Sequence, residues 1–155
     1  MIDSVLVTEL VEENIAGTDM FIVNIAVKHD NVVSIVIDSD TVVGIDNCAA
    51  INRFVYSELE SKYTENFEVN VYSAGLNEPL KLKRQYVKHI GEEVTVVRKS
   101  GEKSKGVLCY VDDNYIELEY EITEKAPDTR KNKTIQLKEK IEMDSIKSTK
   151  LVIKV

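Results

Sequence analysis

The stretch Ser73-Ala74-Gly75-Leu76-Asn77-Glu78-Pro79-Leu80 separates two parts of the chain that differ in charge. Residues 1–80 carry 3 basic side chains against 14 acidic ones, whereas residues 81–155 carry 17 basic against 13 acidic. One compact domain rarely sorts its charges by sequence half, but two modules with different partners do so readily. We therefore predict an acidic domain over residues 1–80 and a second domain over residues 81–155.

The first half switches between helical and strand periodicity. Apolar residues recur at helical spacing over residues 3–15 and 45–59, whereas residues 21–27, 33–37 and 67–71 alternate with period two. The predicted order is α-β-β-α-β, a three-stranded sheet with two helices on one face.

Two details of this domain are predicted from local sequence. Phe21, Val23, Ile25 and Val27 alternate with the remaining residues of the first strand. The expected N-cap of the second helix is either Asp46 or Asn47, shortly after Gly44.

The second half reads almost entirely as strands. A short amphipathic helix over residues 82–90, closed by Gly91, leads into apolar alternation near residues 94–96, 107–111, 116–122, 135–137 and 151–155. Residues 123–133 read as a charged loop. Five short strands in so few residues predict a small closed or nearly closed β-barrel, so the fold class of the chain is α+β.

Composition excludes several classes of protein. No apolar run approaches the roughly 20 residues that span a bilayer. The segment Met1-Ile2-Asp3-Ser4 lacks the basic start of a secretory signal, so we predict a cytoplasmic protein with no membrane partner. The two cysteines, Cys48 and Cys109, are expected to be buried thiols.

Candidate catalytic and metal-binding residues are few. Asp38, Asp40 and Asp46 crowd one segment, which fits either a hard-cation site or a strand end followed by a helix cap. His29 and His89 have no obvious partners in sequence, and no glycine-rich phosphate loop occurs. A metal-dependent hydrolase would lack a nucleophile or base, so we predict no enzymatic activity, no cofactor, no metal and no small-molecule substrate.

A basic patch follows the charge break. Lys81, Lys83, Arg84 and Lys88 cluster around Tyr86. This pattern fits contact with RNA phosphates and equally a solvated helix face.

Tyrosines of the second half are the candidates for stacking on RNA bases, since the chain has no Trp and only 3 Phe. They are Tyr110, Tyr115 and Tyr120. Tyr120 shares the parity of Ile116 and Leu118, which places it in the predicted core.

Three motifs together resemble one known family. The motifs are Ile37-Asp38 with Gly44-Ile45-Asp46-Asn47-Cys48, then the stretch 73–80, then Ile90-Gly91-Glu92-Glu93-Val94. Their order and spacing are similar to those of the bacterial ribosome maturation factor RimP family. The resemblance implies an α/β domain followed by a small Sm-like or Src-homology-three-like β-barrel. It also implies a non-enzymatic cytoplasmic factor that binds the immature 30S subunit and helps the basic small-subunit protein twelve to join.

The same resemblance marks Ser73, Gly75, Leu76 and Pro79 as hinge and partner-binding candidates. The chain departs from the family pattern at three positions: Ala74 stands where Pro is usual, Asn77 where Asp is usual and Glu78 where Arg is common. Loss of a basic side chain at 78 weighs against a phosphate contact there. Loss of Pro at 74 is expected to loosen the hinge.

Two functions follow from these observations. The leading one is an assembly factor that bridges a basic ribosomal protein and nearby ribosomal RNA, because an acidic domain attracts a basic partner. The alternative is a free-standing RNA-binding regulator that uses the Sm-like barrel.

Overall fold

The chain has an α+β architecture in a computed structural model that describes residues 1–75, 78–125 and 132–153. It divides into two compact units, Met1–Gly75 and Leu76–Val155. Among the described helices, none is long and apolar enough to cross a membrane.

The first unit contains two helices and a three-stranded sheet. The helices are Ser4–Ile15 (α1) and Ile45–Lys62 (α2), and the strands are Met20–Lys28 (β1), Val32–Ser39 (β2) and Glu68–Ser73 (β3). β2 is the central strand and pairs antiparallel with β1 and parallel with β3. Parallel neighbours need a crossover connection, and α2 supplies it.

One hydrophobic core holds the first unit together. Alternate residues of β2 (Val33, Ile35, Ile37) are fully buried, so they share one face of the sheet. They pack with fully buried residues of α1 (Val7, Val11) and of α2 (Ile51, Val55, Leu59). Both helices therefore lie on the same face of the sheet.

The N-cap of α2 differs from the sequence prediction. Gly44 is the capping residue, not Asp46 or Asn47. Because the helix already begins at Ile45, Asn47 lies inside the first turn, and its Oδ1 accepts a hydrogen bond from the Gly44 N–H at 2.9 Å. Asn47 thus supports the cap from the third helical position, as in a capping box.

A β-bulge changes which residues of β1 face the core. The register shifts between Ile22 and Asn24, so that Ile22 pairs with Ile37 but Ile25 pairs with Ile35. Met20, Ile22, Ile25 and Val27 pack against the core. The strict alternation expected through Phe21, Val23, Ile25 and Val27 is therefore wrong, because one extra residue switches the parity of the strand.

The second unit consists of a short helix and a five-stranded antiparallel sheet. The helix is Lys83–Lys88 (α3), and the strands are Glu93–Arg98 (β4), Lys103–Val111 (β5), Tyr115–Lys125 (β6), Asn132–Glu142 (β7) and Ile146–Leu151 (β8). Gly91, with φ of +95°, follows α3 in a conformation that favours glycine.

The sheet order is β7-β6-β5-β4-β8. Within the residues that the structure describes, no ladder joins β7 to β8, so closure into a barrel is not found. The ladder of β6 and β7 continues to the pair Lys125–Asn132, so the loop predicted over residues 123–133 is too long, and residues 126–131 lie outside the described residues.

The last strand also begins earlier than the sequence pattern suggested. A turn at Met143–Ser145 reverses the chain, and β8 then pairs with β4 up to the pair Val94–Leu151. Ile153, expected in a strand, follows β8 and is exposed, and Val155 lies outside the described residues.

The second core lies on one face of this sheet. Its fully buried members are Val94, Val96, Leu108, Ile116, Leu118 and Ile141, and Leu80 and Tyr86 pack with them.

Tyr120 was expected in this core but is only half-buried, and Ile122 is exposed. The reason is that β5 pairs with β6 only as far as Glu119, so the continuation of β6 pairs with β7 alone.

Replacing Leu59 with alanine will lower the free energy of unfolding of the first unit by about 2–5 kcal/mol, because the cavity left behind closes only in part. Urea denaturation followed by circular dichroism measures this change. Val5→Ala is the control: Val5 lies on α1 and is 61% exposed, so its replacement should change stability by less than about 0.5 kcal/mol. Equal midpoints for the two variants would contradict the core described above.

Candidate partner-binding site

The carboxyl ends of β2 and β3 meet at one edge of the first sheet. In the parallel ladder Ile37 pairs with Ser73, and the Ala74 N–H donates to the Ile37 carbonyl at 2.9 Å. Beyond Ser39, residues 40–44 connect β2 to α2. We call residues 40–45 the β2–α2 loop, although Ile45 is already the first residue of the helix.

Hydrogen bonds hold this loop at both ends. The Thr41 hydroxyl donates to Asp19 Oδ2 at 2.7 Å, and the Thr41 N–H donates to Ser39 Oγ at 3.2 Å. At the other end, Gly44 is held by Asn47 as described above. The loop therefore has a fixed course, although most of its residues are exposed.

Two large apolar side chains of the loop point into solvent. Val42 is 82% exposed and Ile45 is 89% exposed, the two highest exposures among the large apolar residues of the described chain. Scattered single apolar residues are ordinary on a surface. Two of them on one hydrogen-bonded loop supply exposed apolar area that fits contact with a protein. Ile45 belongs to a sequence motif, but neither Val42 nor Ile45 stands out in the sequence, because local sequence does not report exposure.

The aspartates of this segment take different positions. Asp38 is buried, and its Oδ1 accepts a hydrogen bond from the Ser39 N–H at 2.8 Å. Asp46 lies in the first turn of α2, where a carboxylate is favoured by the helix dipole. Within residues 1–75, 78–125 and 132–153, no group of three His, Cys, Asp or Glu side chains is placed to hold a metal ion.

The hinge candidates fall partly within the described residues. Ser73 is the exposed last residue of β3, Gly75 ends the first unit, and Pro79 is half-buried in the second. Leu76 and Asn77 lie outside the described residues.

Ala74 uses its N–H in the bond to Ile37, a donor that proline lacks. Alanine at this position therefore allows a hydrogen bond that the family's usual proline cannot make, and the looser hinge stays a prediction.

The segment before α3 is fixed to the second unit. Leu80 is buried, and its N–H donates to the Thr149 carbonyl at 2.8 Å. Gln85 Oε1 accepts from the backbone N–H groups of Lys81 and Leu82, at 2.8 and 3.0 Å. The buried Tyr86 hydroxyl donates to Thr149 Oγ1 at 2.7 Å, which ties α3 to β8.

The four basic candidates of this segment differ in their surroundings. Lys83 Nζ forms an ion pair with Asp113 Oδ1 at 2.9 Å. Lys81 and Arg84 are exposed, whereas Lys88 is half-buried. The charge available to RNA phosphates is therefore smaller than a count of basic residues suggests.

Lys147 was missed by sequence analysis and lies near Lys81. A cavity of about 530 Å³ is lined by both lysines together with Pro79, Leu80 and Tyr86. The two lysines are 66 positions apart, and only the packing of β8 against the segment before α3 brings them to one cavity.

The tyrosines proposed for base stacking are already in contact with protein groups. The rings of Tyr110 and Tyr115 stack with their centroids 5.2 Å apart, and Lys140 Nζ lies 4.1 Å from the centroid of Tyr115. The Tyr110 hydroxyl donates to Asp112 Oδ2 at 2.9 Å. These carboxylate and ammonium neighbours make the pair a poor platform for an RNA base.

His89 has a partner that sequence analysis did not find. It is buried, and its Nδ1 forms a hydrogen bond with Glu92 Oε2 three residues later, just after α3. Cys48 and Cys109 are only half-buried, so the expected burial of both thiols is wrong. Desolvation nevertheless raises the pKa of both thiols, which disfavours the reactive thiolate.

Comparison with known proteins relates the chain to one family. The family model of the RimP N-terminal domain matches residues 7–77. The ribosome maturation factor RimP of Christiangramia forsetii is 30% identical over 131 residues, which cover 84% of this chain and 82% of that protein. The RimP of Porphyromonas gingivalis is 33% identical over 119 residues, or 77% of this chain and 78% of that protein. The RimP of Flavobacterium psychrophilum is 28% identical over 148 residues, 95% of each chain.

The hydrogen bond to Asp112, aided by desolvation and by the carboxylate charge, raises the pKa of Tyr110 to about 12, because a nearby carboxylate favours the protonated phenol. Asp112→Asn keeps Oδ1 as an acceptor for the Asn114 and Tyr115 N–H groups but removes the charge. NMR titration should then show a Tyr110 pKa lowered toward about 10. Asp113→Asn is the control and should leave the Tyr110 pKa unchanged; a shift of equal size there would contradict this assignment.

Proposed function

Because the chain belongs to the ribosome maturation factor RimP family, we propose that it assists assembly of the 30S small ribosomal subunit. In this proposal it acts in the cytoplasm on immature 30S particles. It holds a basic small-subunit ribosomal protein, protein twelve, and contacts nearby ribosomal RNA.

The observation that carries the protein-binding part is the β2–α2 loop of the acidic unit. Val42 and Ile45 supply exposed apolar area, and burying such a side chain fully contributes about 1.5–3 kcal/mol. The excess of carboxylates in residues 1–80 attracts a basic partner and repels ribosomal RNA. Apolar anchors within an acidic unit fit a basic protein better than they fit a nucleic acid.

The RNA-binding part rests on the second unit. Lys81 and Lys147 line one cavity, and lysine ammonium groups suit phosphate oxygens. The assignment of this unit to the Sm-like class follows from the family resemblance.

The proposed mechanism needs no chemical step. The acidic unit keeps the basic protein in a binding-competent pose, and ribosomal RNA then takes it over because its phosphates compete with the carboxylates. The chain is then released. A free-standing RNA-binding regulator fits less well, because the stacked pair Tyr110–Tyr115 is occupied by its own neighbours.

The double variant Val42→Ser/Ile45→Ser will bind purified protein twelve about 10-fold or more weakly, because both apolar contacts are lost. Isothermal titration calorimetry on the full chain measures this. Val5→Ser is the matched control, since it makes the same change at an exposed valine of the same unit. Affinity of all variants should fall as salt rises, because exposed charges are screened. An unchanged affinity of the double variant would refute the loop as the binding site.

Cells without this protein will accumulate immature 30S particles, because maturation of the subunit slows. No chemical activity is lost in these cells. Sucrose-gradient profiles measure this accumulation, and the protein itself should sediment with immature 30S particles but not with 70S ribosomes. Normal 30S profiles together with normal growth in the cold would argue against the proposed function.

A further inference from the structure

The second unit carries more basic than acidic residues, yet one surface of its sheet is acidic. Two adjoining cavities of about 500 and 460 Å³ lie over β4, β5 and β6, and both are lined by Glu93 and Val107. We call this pair of cavities the β4–β6 groove. Its charged lining consists of four carboxylates, those of Glu92, Glu93, Glu119 and Glu121, and one ammonium, that of Lys105.

The strand register explains how the groove is built. Val107 pairs with Glu93 on β4 and with Glu119 on β6. Directly opposite residues of neighbouring strands have Cβ atoms about 5 Å apart, so one carboxylate stands on each side of the valine. Gly106 allows the strands to meet closely here, because a Cβ at this position would lie 3.0 Å from the Glu119 carbonyl oxygen.

The floor of the groove is apolar and open to solvent. Val107 is 37% exposed and Ile153, in the second cavity, is 48% exposed. Ordinary strand alternation places Val107 there, because its neighbour Leu108 faces the core. An apolar floor between carboxylates does not suit a hydrated metal ion or a phosphate chain.

The charges of the groove are only partly compensated. Lys105 Nζ pairs with Glu93 Oε1 at 3.4 Å, and Glu92 bonds to His89. Glu119 and Glu121 have cross-strand neighbours on β7, Lys138 and Gln136, of which only the first is charged. The surface thus keeps a net negative charge around an apolar centre.

We propose that the β4–β6 groove binds an extended basic segment of a protein partner, with an apolar side chain over Val107 and Ile153 and arginine or lysine side chains beside the carboxylates. The inference rests on the proposed function for the class of partner, a basic protein. It adds a contact on the second unit, whose overall charge points instead to RNA.

The test uses the full chain and a short synthetic peptide in which one leucine stands between arginines. Because the first unit is also acidic, binding is followed site by site, through methyl NMR signals of Val107 and Ile153 and, separately, of Val42 and Ile45. The peptide should shift the groove signals in a saturable way, and the same peptide with glutamine in place of leucine should bind the groove more weakly.

Glu119→Lys should weaken binding at the groove about 10-fold, because a like charge then faces the peptide. Glu117→Lys is the matched control, because Glu117 lies on the same strand but lines neither cavity. Glu117 pairs with Lys140 just as Glu119 pairs with Lys138, so both variants place a lysine opposite a lysine. Glu119→Gln, which avoids that repulsion, should weaken binding by a smaller factor.

Three results would overturn the inference. One is that the peptide shifts only the signals of Val42 and Ile45, which would leave the proposed function intact. Another is that an oligouridine shifts the groove signals and the peptide does not. The third is that Glu117→Lys weakens groove binding as much as Glu119→Lys does. Failure of the proposed function looks different, since the basic ribosomal protein would then bind neither unit.

Discussion

The parallel pairing of β2 with β3 determines most of what the first unit can do. Two parallel neighbours require a long crossover, and the 18-residue helix α2 both makes that connection and covers the sheet. The same pairing brings the carboxyl ends of the two strands to one edge, where a crossover loop must leave the sheet. In this loop Val43 packs against the core, whereas Val42 and Ile45 are exposed.

Local periodicity was sufficient to predict the element order but not the faces of every strand. The α-β-β-α-β order of the first half, the leading helix of the second half and most strands follow from spacing alone. The error in facing occurs in β1, where a single extra residue at Val23 changes the parity of the strand. A bulge depends on the pairing of two strands, and one strand's pattern of side chains does not reveal it.

The overall charge of each half was predicted well, but the positions at which charged side chains meet were predicted poorly. The excess of acid before residue 80 is a property of composition, and folding does not alter it. Which charges meet is a property of topology: Lys83 is paired with Asp113, Lys147 joins Lys81, and Glu93 and Glu119 flank one valine. A basic half of a sequence can therefore contain an acidic surface, because adjacent strands place residues from distant positions side by side.

The motif at residues 73–80 begins at the end of a strand of the first unit and ends in the hydrophobic core of the second unit. Its first part ends β3, and the Ala74 N–H continues the parallel ladder by one hydrogen bond. Its last residue, Leu80, is buried in the other core and bonded to Thr149. A family that usually has proline at the position of Ala74 gives up that donor and restricts the backbone instead. In this chain the Ala74 N–H instead bonds the end of β3 to the Ile37 carbonyl of β2.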